Sequence, residues 1–447
     1  MSTEQFFTAC AITILLLPTL AFLWLGANLL IQRRPSELMI SRISGTAQLG
    51  SLLAAITISM AMMFNHTDQV VVDLGAWFIA ANYEFEIVFL IDRLSMPFVL
   101  LTCILTGIVG RFSRSYLHHE SGYARFFLLM LMFLVGMLCL AMGGTIDLLF
   151  AGWELVGLSS ALLIGFFQHR KEPVLNGLRT FAVYRICDVG LLVGAILLHH
   201  YAHTAEFDLV FTHAHWPVGL PDIPTAPLHV IGLLFLLAAM GKSGQVPFGN
   251  WLPRAMEGPT PSSAIFYGGI SIHAGAYLLL RMSPLLERSA ITMVSIVVIG
   301  LLTAIYGTLV GRVQCDVKNQ LAYSAMAQVG LIFVEIGFGF HFFALLHMGG
   351  HATLRTLQFL RSATVLREFN RLKAATGGSD LSRGGGQYEF LFPMRLRRWL
   401  YTAAMRGCDM DAVVQSTLVG PLMKIAGSLE RIEERWAGNI DAKRVEP

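Results

Sequence analysis

Apolar runs long enough to cross a bilayer return again and again along this chain, and that recurrence constrains the fold more than any other feature. About twenty apolar residues in a helix match a hydrocarbon core of about 30 Å. Such runs fall at about 6–31, 46–64, 90–110, 126–142, 147–167, 180–198, 227–245, 261–281, 291–310, 320–339 and 342–363. They predict an all-α polytopic membrane protein of about eleven spanning helices. Of the 447 residues 55% are hydrophobic and 14% charged, against about a quarter charged in soluble domains. A soluble enzyme and a disordered chain are excluded.

The formal net charge of +3 is spread thinly, with no block of Lys and Arg of the kind that grips nucleic acid, so no nucleic-acid partner is expected. The six cysteines have no C-x-x-C spacing, so neither a zinc site nor an iron–sulfur cluster is expected in this chain. The start, Met1-Ser-Thr-Glu4, lacks a basic n-region, and the run from Phe6 to Ile31 is too long for an h-region; it reads as the first spanning helix.

Orientation follows from the basic residues of the short loops. Arg33, Arg34 and Arg42, then Arg111, Arg114 and Arg125, then Arg170, Lys171 and Arg179, then Arg312 and Lys318 fall on one side, whereas 65–86, 143–146 and 199–226 hold no Lys or Arg. The positive-inside rule predicts an outside N-terminus and a cytoplasmic tail, with Arg288 the only basic residue in an outer loop. The outer loop 199–226 holds His199, His200, His203, His213 and His215 beside Glu206 and Asp208, a composition open to metal. No fixed ligand spacing stands out, so a solvated loop is the favoured reading.

The membrane domain is expected over 1–365 and a linker and tail over 366–447. Gly384-Gly385-Gly386 marks a flexible linker, and it matches neither a dinucleotide nor a P-loop fingerprint. Met394 to Trp399 and Val413 to Trp436 mix apolar residues with Arg395, Arg397, Arg398, Lys424, Arg431 and Arg435. They read either as amphipathic helices lying on lipid or a partner, or as a loosely held basic tail.

A charge near the bilayer centre costs at least ~2.5–3.5 kcal/mol and needs a partner, water or a function. Glu154 lies mid-helix in Phe150-Ala-Gly-Trp-Glu-Leu-Val-Gly157, among small residues that permit close packing. Lys242 ends an apolar run and precedes Pro247, which breaks a helix; broken helices in membranes line cavities or are buried in protein. Burial disfavours a charged lysine and a nearby carboxylate favours it, so a Glu–Lys pair of variable separation can load and release a proton. The bland alternatives are a neutral buried acid and a snorkelling lysine.

Arg185 and Asp188, three apart, can pair within one helix, for which a structural role weighs as much as transport. His347, His351 and Arg355 share one helix face, with Glu335 on the preceding helix. Histidines suit a proton relay, whereas guanidinium holds its proton; a packed polar row between helices is the competing reading.

These residues resemble a known family. Gly241-Lys-Ser-Gly-Gln-Val-Pro247, continuing through Trp251-Leu-Pro-Arg-Ala-Met-Glu-Gly-Pro-Thr-Pro261, resembles the signature of proton-translocating, antiporter-like membrane subunits: chain 5 of respiratory complex I and the large subunits of Mrp cation/proton antiporters. Trp153-Glu154, Arg185-Ile-Cys-Asp-Val-Gly190 and Asp316-Val-Lys-Asn-Gln-Leu-Ala-Tyr-Ser324 match in the same order. The resemblance covers most of 85–365. It implies an antiporter-like fold with broken helices, a proton path with Glu154 and Lys242 as coupled pair, and Lys318, His347 and His351 continuing the polar axis.

The sequence departs from that pattern. Tyr267 replaces the histidine after Ser-Ala-Leu-Ile of the complex I branch, and His273 stands further on; Arg355 replaces the lysine after the paired histidines, and the last helices with their distal lysine do not follow. These departures weaken the implication of a second half-channel, of sodium antiport and of a place in ordinary complex I. Ser262-Ser-Ala-Ile-Phe-Tyr-Gly-Gly269, the early end of the membrane region and the basic tail look most like DabB-type subunits of DAB inorganic-carbon accumulation complexes. That likeness implies a bacterial inner-membrane location and a large cytoplasmic zinc partner of DabA type, resembling a carbonic anhydrase. Proton flow would then drive CO2 hydration, with zinc in the partner and no cofactor in this transport chain. The expected function is proton conduction in such a complex; the alternative is a proton-pumping or antiporter subunit of quinone-oxidoreductase or Mrp type, and a non-conducting membrane anchor is the third reading.

Overall fold

The computed structural model describes residues 3–80, 83–375 and 393–414, with isolated positions as far as 431. Two compact units divide between Gly385 and Gly386.

Among the described residues of the first unit the regular elements are helices except for one hairpin. α1 (Thr3–Leu30) and α2 (Glu37–Phe64) pack on each other, and the strands β1 (Gln69–Ala80) and β2 (Tyr83–Asp92) follow. Then come α3 (Ser95–Tyr116), α4 (Tyr123–Met142), α5 (Ile146–Ile164), α6 (Lys171–Ala202) and the single turn α7 (Phe207–Val210). Hydroxyl caps set several starts: Ser36 accepts from the Met39 N–H and Thr145 from the Leu148 N–H. α6 opens with Pro173 in its first turn, where the missing donor costs nothing.

α8 (Thr225–Lys242) stops at Lys242, and the chain crosses to α9 (Trp251–Arg254) through the turn at Phe248–Asn250. Gly244, at φ +60°, supplies the left-handed residue this stop requires. The next crossing, Thr260–Arg281, is also broken. It begins as α10 (Thr260–Ser262), widens into a π turn over Ser263–Gly269, tightens into a 3-10 turn over Ser271–His273, and ends as α11 (Ala274–Arg281). The short α12 (Ser283–Leu286) leads to α13 (Ala290–Gly311), α14 (Val317–Gly337, capped by Asp316) and α15 (His341–Ala375).

Ten helices are long and apolar enough to cross a membrane among the described residues. The eleventh predicted crossing coincides with α15, which is long but carries His347, His351 and Arg355 and is not among the ten. Burial orders them around a centre. The Thr260–Arg281 segment is 100% buried and α4 83%, whereas α1 is 28% and α2 and α13 are each 33% buried. The broken segment is therefore the axis, with the apolar faces of α1, α2 and α13 turned to lipid.

The chain is mostly helical as expected, and the hairpin is the element the sequence reading did not foresee. β1 and β2 pair antiparallel from Gln69↔Asp92 to Ala80↔Tyr83, with an irregularity after Asp73. There Gly75 takes φ +87° and donates its N–H to the Asp73 carboxylate. The expected outer loop and the first residues of the span at 90–110 are thus strand, and α3 starts only at Ser95. Arg93 then lies in the turn before α3, paired with Asp68 at 2.7 Å, so Arg288 is not the only basic residue between crossings on that side.

α15 runs through position 365, where the composition changes. The glycine run 384–386 and most of 413–436 lie outside the described residues. In the second unit, α16 (Met394–Met405) and α17 (Met410–Val414) are helical. α16 exposes Met394, Trp399, Tyr401 and Met405 among its arginines, as an interfacial helix does.

Candidate functional site

Three helices meet around Lys242. α8 brings it to their junction at the point where the helix stops, and it is 1% exposed. Its ammonium donates to the Trp153 carbonyl at 3.1 Å and lies 4.8 Å above the Trp153 ring and 4.5 Å above the Tyr184 ring. No carboxylate stands within salt-bridge distance of it among the described residues. The room comes from glycine: a Cβ on Gly157 would fall 2.7 Å from Nζ, and one on Gly241 would strike Cys187.

The expected Glu154–Lys242 contact is not made directly. Glu154 pairs with Arg185 across the α5–α6 interface, and Arg185 also pairs with Asp188 at 2.9 Å. Asp188 in turn accepts from the Trp153 indole N–H at 2.5 Å. One carboxylate thus orients the guanidinium and the indole beneath Lys242. Glu154 keeps one buried oxygen, Oε1, without a protein partner. Arg185 and Asp188 do pair within their helix, and the structure adds the cross-helix partner that the spacing could not show.

Hydroxyls continue from this cluster toward the broken axis. Ser160 lies 3.4 Å from the Tyr184 hydroxyl and 3.1 Å from that of Tyr267, which sits in the wide turn. Ser243, next to Lys242, donates to the Ile272 carbonyl, joining the two breaks. Buried Gln245 Oε1 and Ser263 Oγ stand near them without protein partners.

The histidine row is a connected network whose donors can be deduced. Arg355 is donor only, and its Nε points at His351 Nε2 at 3.3 Å, so that nitrogen accepts. A neutral His351 therefore carries its proton on Nδ1 and donates to His273 Nε2 at 2.9 Å, and His273 donates from Nδ1 to the Gly269 carbonyl at 2.6 Å. One guanidinium fixes both tautomers by this assignment. Arg355 is itself held by Gln358 at 2.8 Å and by Ser324. His347 faces two acceptor oxygens, Glu335 at 2.8 Å and Gln328 at 3.1 Å. One ring nitrogen therefore meets the Glu335 carboxylate, and the other meets the Gln328 amide, which can turn to present either its oxygen or its NH2.

Lys318 is not drawn into this row. It sits in the first turn of α14, its ammonium 3.5 Å from the carbonyls of Met256 and Gly258. The histidines of the 199–226 loop do not converge either. His199 binds Asp147, His213 binds Asp208, and His215 binds Gln69. The one metal-capable group of three among the described residues is Glu37, His118 and His119, on the opposite side.

One buried pair was not foreseen. Arg281 grips Asp92 with two hydrogen bonds, at 2.6 and 3.2 Å, and reaches the Tyr277 hydroxyl at 3.0 Å, while Tyr277 donates to the Ala141 carbonyl. Both partners are almost wholly buried. Asp92 is the last residue of β2, so this clamp joins the hairpin to the axis and to α4.

Two broken crossings around a row of buried ionisable groups place the chain among membrane proteins of antiporter-like fold. It belongs to the family described as NADH:quinone oxidoreductase/Mrp antiporter, transmembrane, whose profile matches residues 144–382. The profile of the complex I chain 5 N-terminus matches 77–127. The chain is 33% identical over 355 residues to the chloroplastic NAD(P)H-quinone oxidoreductase subunit 5 of Zygnema circumcarinatum, covering 78% of this chain and 50% of that one. It is 34% identical over 312 residues to NADH-quinone oxidoreductase subunit L of Mycobacterium tuberculosis, covering 69% and 47%. It thus spans about half the length of the curated relatives it matches. Among solved structures it resembles a chain of the Mrp complex from Dietzia sp. DQ12-45-1b, at TM-score 0.66 and 25% identity over 88% of this chain and 41% of that one. A chain of the archaeal membrane-bound sulfane sulfur reductase shares the fold at TM-score 0.67 and 20% identity, over 89% and 77%.

Proposed function

We propose that this chain conducts protons across its membrane as one subunit of a larger complex, with Lys242 as the group that is loaded and discharged. The observation that carries the reading is a lysine held in the bundle by a carbonyl and two aromatic faces, with its candidate carboxylate, Glu154, engaged by Arg185 instead. Arg185 has two carboxylates to choose between. Its transfer wholly onto Asp188 frees Glu154 to approach Lys242, and its return to Glu154 leaves the ammonium without a counter-charge and ready to give up its proton. The orphaned oxygens at Glu154, Gln245 and Ser263 demand water, because a buried polar atom without a partner costs ~1–3 kcal/mol. Protons move on toward His273, His351 and His347 through groups of that kind. Each charge moved gains ~2.3 kcal/mol per 100 mV of membrane potential.

The assembly we favour is of the quinone-oxidoreductase or Mrp kind, since the relatives bear those names. The carbon-accumulation reading, with a zinc-bearing DabA-like partner on the cytoplasmic side of a bacterial inner membrane, rests on the segment Ser262–Gly269 and the basic α16. Proton uptake into vesicles containing the purified protein tests conduction: it should vanish in Lys242→Ala and Glu154→Gln, and flux equal to wild type in both refutes the proposal. Mass spectrometry of co-purifying subunits, with zinc assayed on the same sample, separates the two assemblies.

A further inference from the structure

We infer that α2 and α3 form a binding site for one anionic phospholipid, with an acyl chain between the helices and its phosphate at Arg111 and Arg114. A groove of about 470 Å³ runs along the α2–α3 face. Its walls are apolar and turned outward: Leu49 is 55%, Ile104 44% and Ile108 49% exposed, so the groove opens to hydrocarbon. Its floor is glycine, and a Cβ added to Gly107 or Gly45 would meet nothing within 4 Å. The space is therefore unfilled by protein, unlike the tight glycine contacts around Lys242.

Charge marks one end only. Arg111 and Arg114 line the groove, both exposed and neither in a salt bridge among the described residues. Arg114 also borders a second hollow of about 330 Å³ with Ser115, His118 and Tyr123. The single carboxylate there, Glu37, is already engaged by the His118 ring at 2.7 Å and the His119 backbone N–H at 3.0 Å, which leaves the arginines to an outside anion. Gln48, 4% exposed, lies against Gly110 on the groove wall with its Nε2 lacking a partner. A rotation of that amide offers its N–H to a lipid ester carbonyl.

Length agrees with this occupant. From Arg114 to Cys103 the groove follows eleven helical steps of α3, about 16 Å at about 1.5 Å per step, which is one leaflet of a ~30 Å core. Arginines at one membrane boundary with an apolar slot reaching the midplane suit a phosphate with an acyl chain, not a free anion. The basic end lies on the side that the charge distribution of the loops assigns to the cytoplasm.

The test is native mass spectrometry of the full-length protein in mild detergent, titrated with phosphatidylglycerol or phosphatidylcholine. Wild type should retain one phosphatidylglycerol preferentially. Arg111→Gln and Arg114→Gln should each weaken retention about fivefold, the equivalent of ~1 kcal/mol per basic residue at an anionic surface. Gly107→Leu, which fills open space and leaves packing intact, should block the acyl chain with both arginines present. Equal retention of the two lipids, unchanged binding in Gly107→Leu, displacement by millimolar glycerol phosphate, or capture of a protein in place of lipid by a photocrosslinker at position 107 would each overturn the inference.

Discussion

Lys242 and Arg281 are buried in this bundle on opposite terms, and replacing each by methionine separates function from stability. Lys242→Met removes one charge-assisted hydrogen bond, ~1.5–3 kcal/mol, and two cation–π contacts of ~0.5–2 kcal/mol each. It also removes the cost of holding an unpaired ammonium out of water, which is several kcal/mol per ion. The terms nearly cancel, so stability should change by no more than ~2 kcal/mol, with either sign. Arg281→Met strands the Asp92 carboxylate, 3% exposed, and should cost ~3–5 kcal/mol. Unfolding in detergent, followed by intrinsic tryptophan fluorescence, gives both values in one series, and proton flux is read on the same preparations. The expected pattern is a folded, inactive Lys242→Met beside a poorly folded Arg281→Met. If Lys242→Met loses as much stability as Arg281→Met, the lysine is an architectural group and the reasoning fails.

Gly157→Ala should place a methyl 2.7 Å from the present position of the Lys242 ammonium and push that flexible tip off the Trp153 carbonyl; flux should fall with stability changed by less than ~1 kcal/mol, and unaltered flux would count against the lysine's position mattering. Arg355→Met should release the tautomers of His351 and His273, seen as mixed ring signals by nitrogen-15 spectroscopy of histidine-labelled protein in lipid, where wild type shows Nδ1-protonated rings; an unchanged spectrum contradicts the assignment. On the hairpin side, burial first, and then Glu86, Asp73 and Asp208, raise the Glu206 carboxyl from 4.5 to about 7. The unfolded chain ionises first as pH rises, so this region loses stability between about pH 4.5 and 7 and no more above that. Amide exchange of residues 69–92 should quicken over that range in wild type and much less in Glu206→Gln.

Helix positions were legible because lipid imposes length and apolarity on every crossing, and α15 was found despite its polar face. The hairpin was not read, although Glu84 and Glu86 alternate with Phe85 and Ile87 as a half-exposed strand does; its last apolar residues, Leu90 and Ile91, merged with the run of α3. In the site, the residue identities were visible and the pairings only partly so. Spacing shows that Arg185 can meet Asp188 on its own helix, but nothing local says that Glu154 also meets Arg185, or that His273 meets His351 at 2.9 Å. Asp92 and Arg281 escaped notice because each stood at the edge of an apolar run, where a charge reads as solvated, and only the tertiary fold buries them together.

The broken central segment has the character of a dislocation. Its wide turn at Ser263–Gly269 holds a surplus of residues per turn and the tight turn at Ser271–His273 a deficit, so the register lost in one is regained in the other. The far end cannot slip, because Arg281 is anchored on Asp92. Only Ile270 separates the two defects, so the compensation is completed within one short stretch of the axis. Tyr267 sits in the wide turn and His273 in the tight one, so each defect aims one polar side chain out of the axis, toward Ser160 at 3.1 Å and His351 at 2.9 Å.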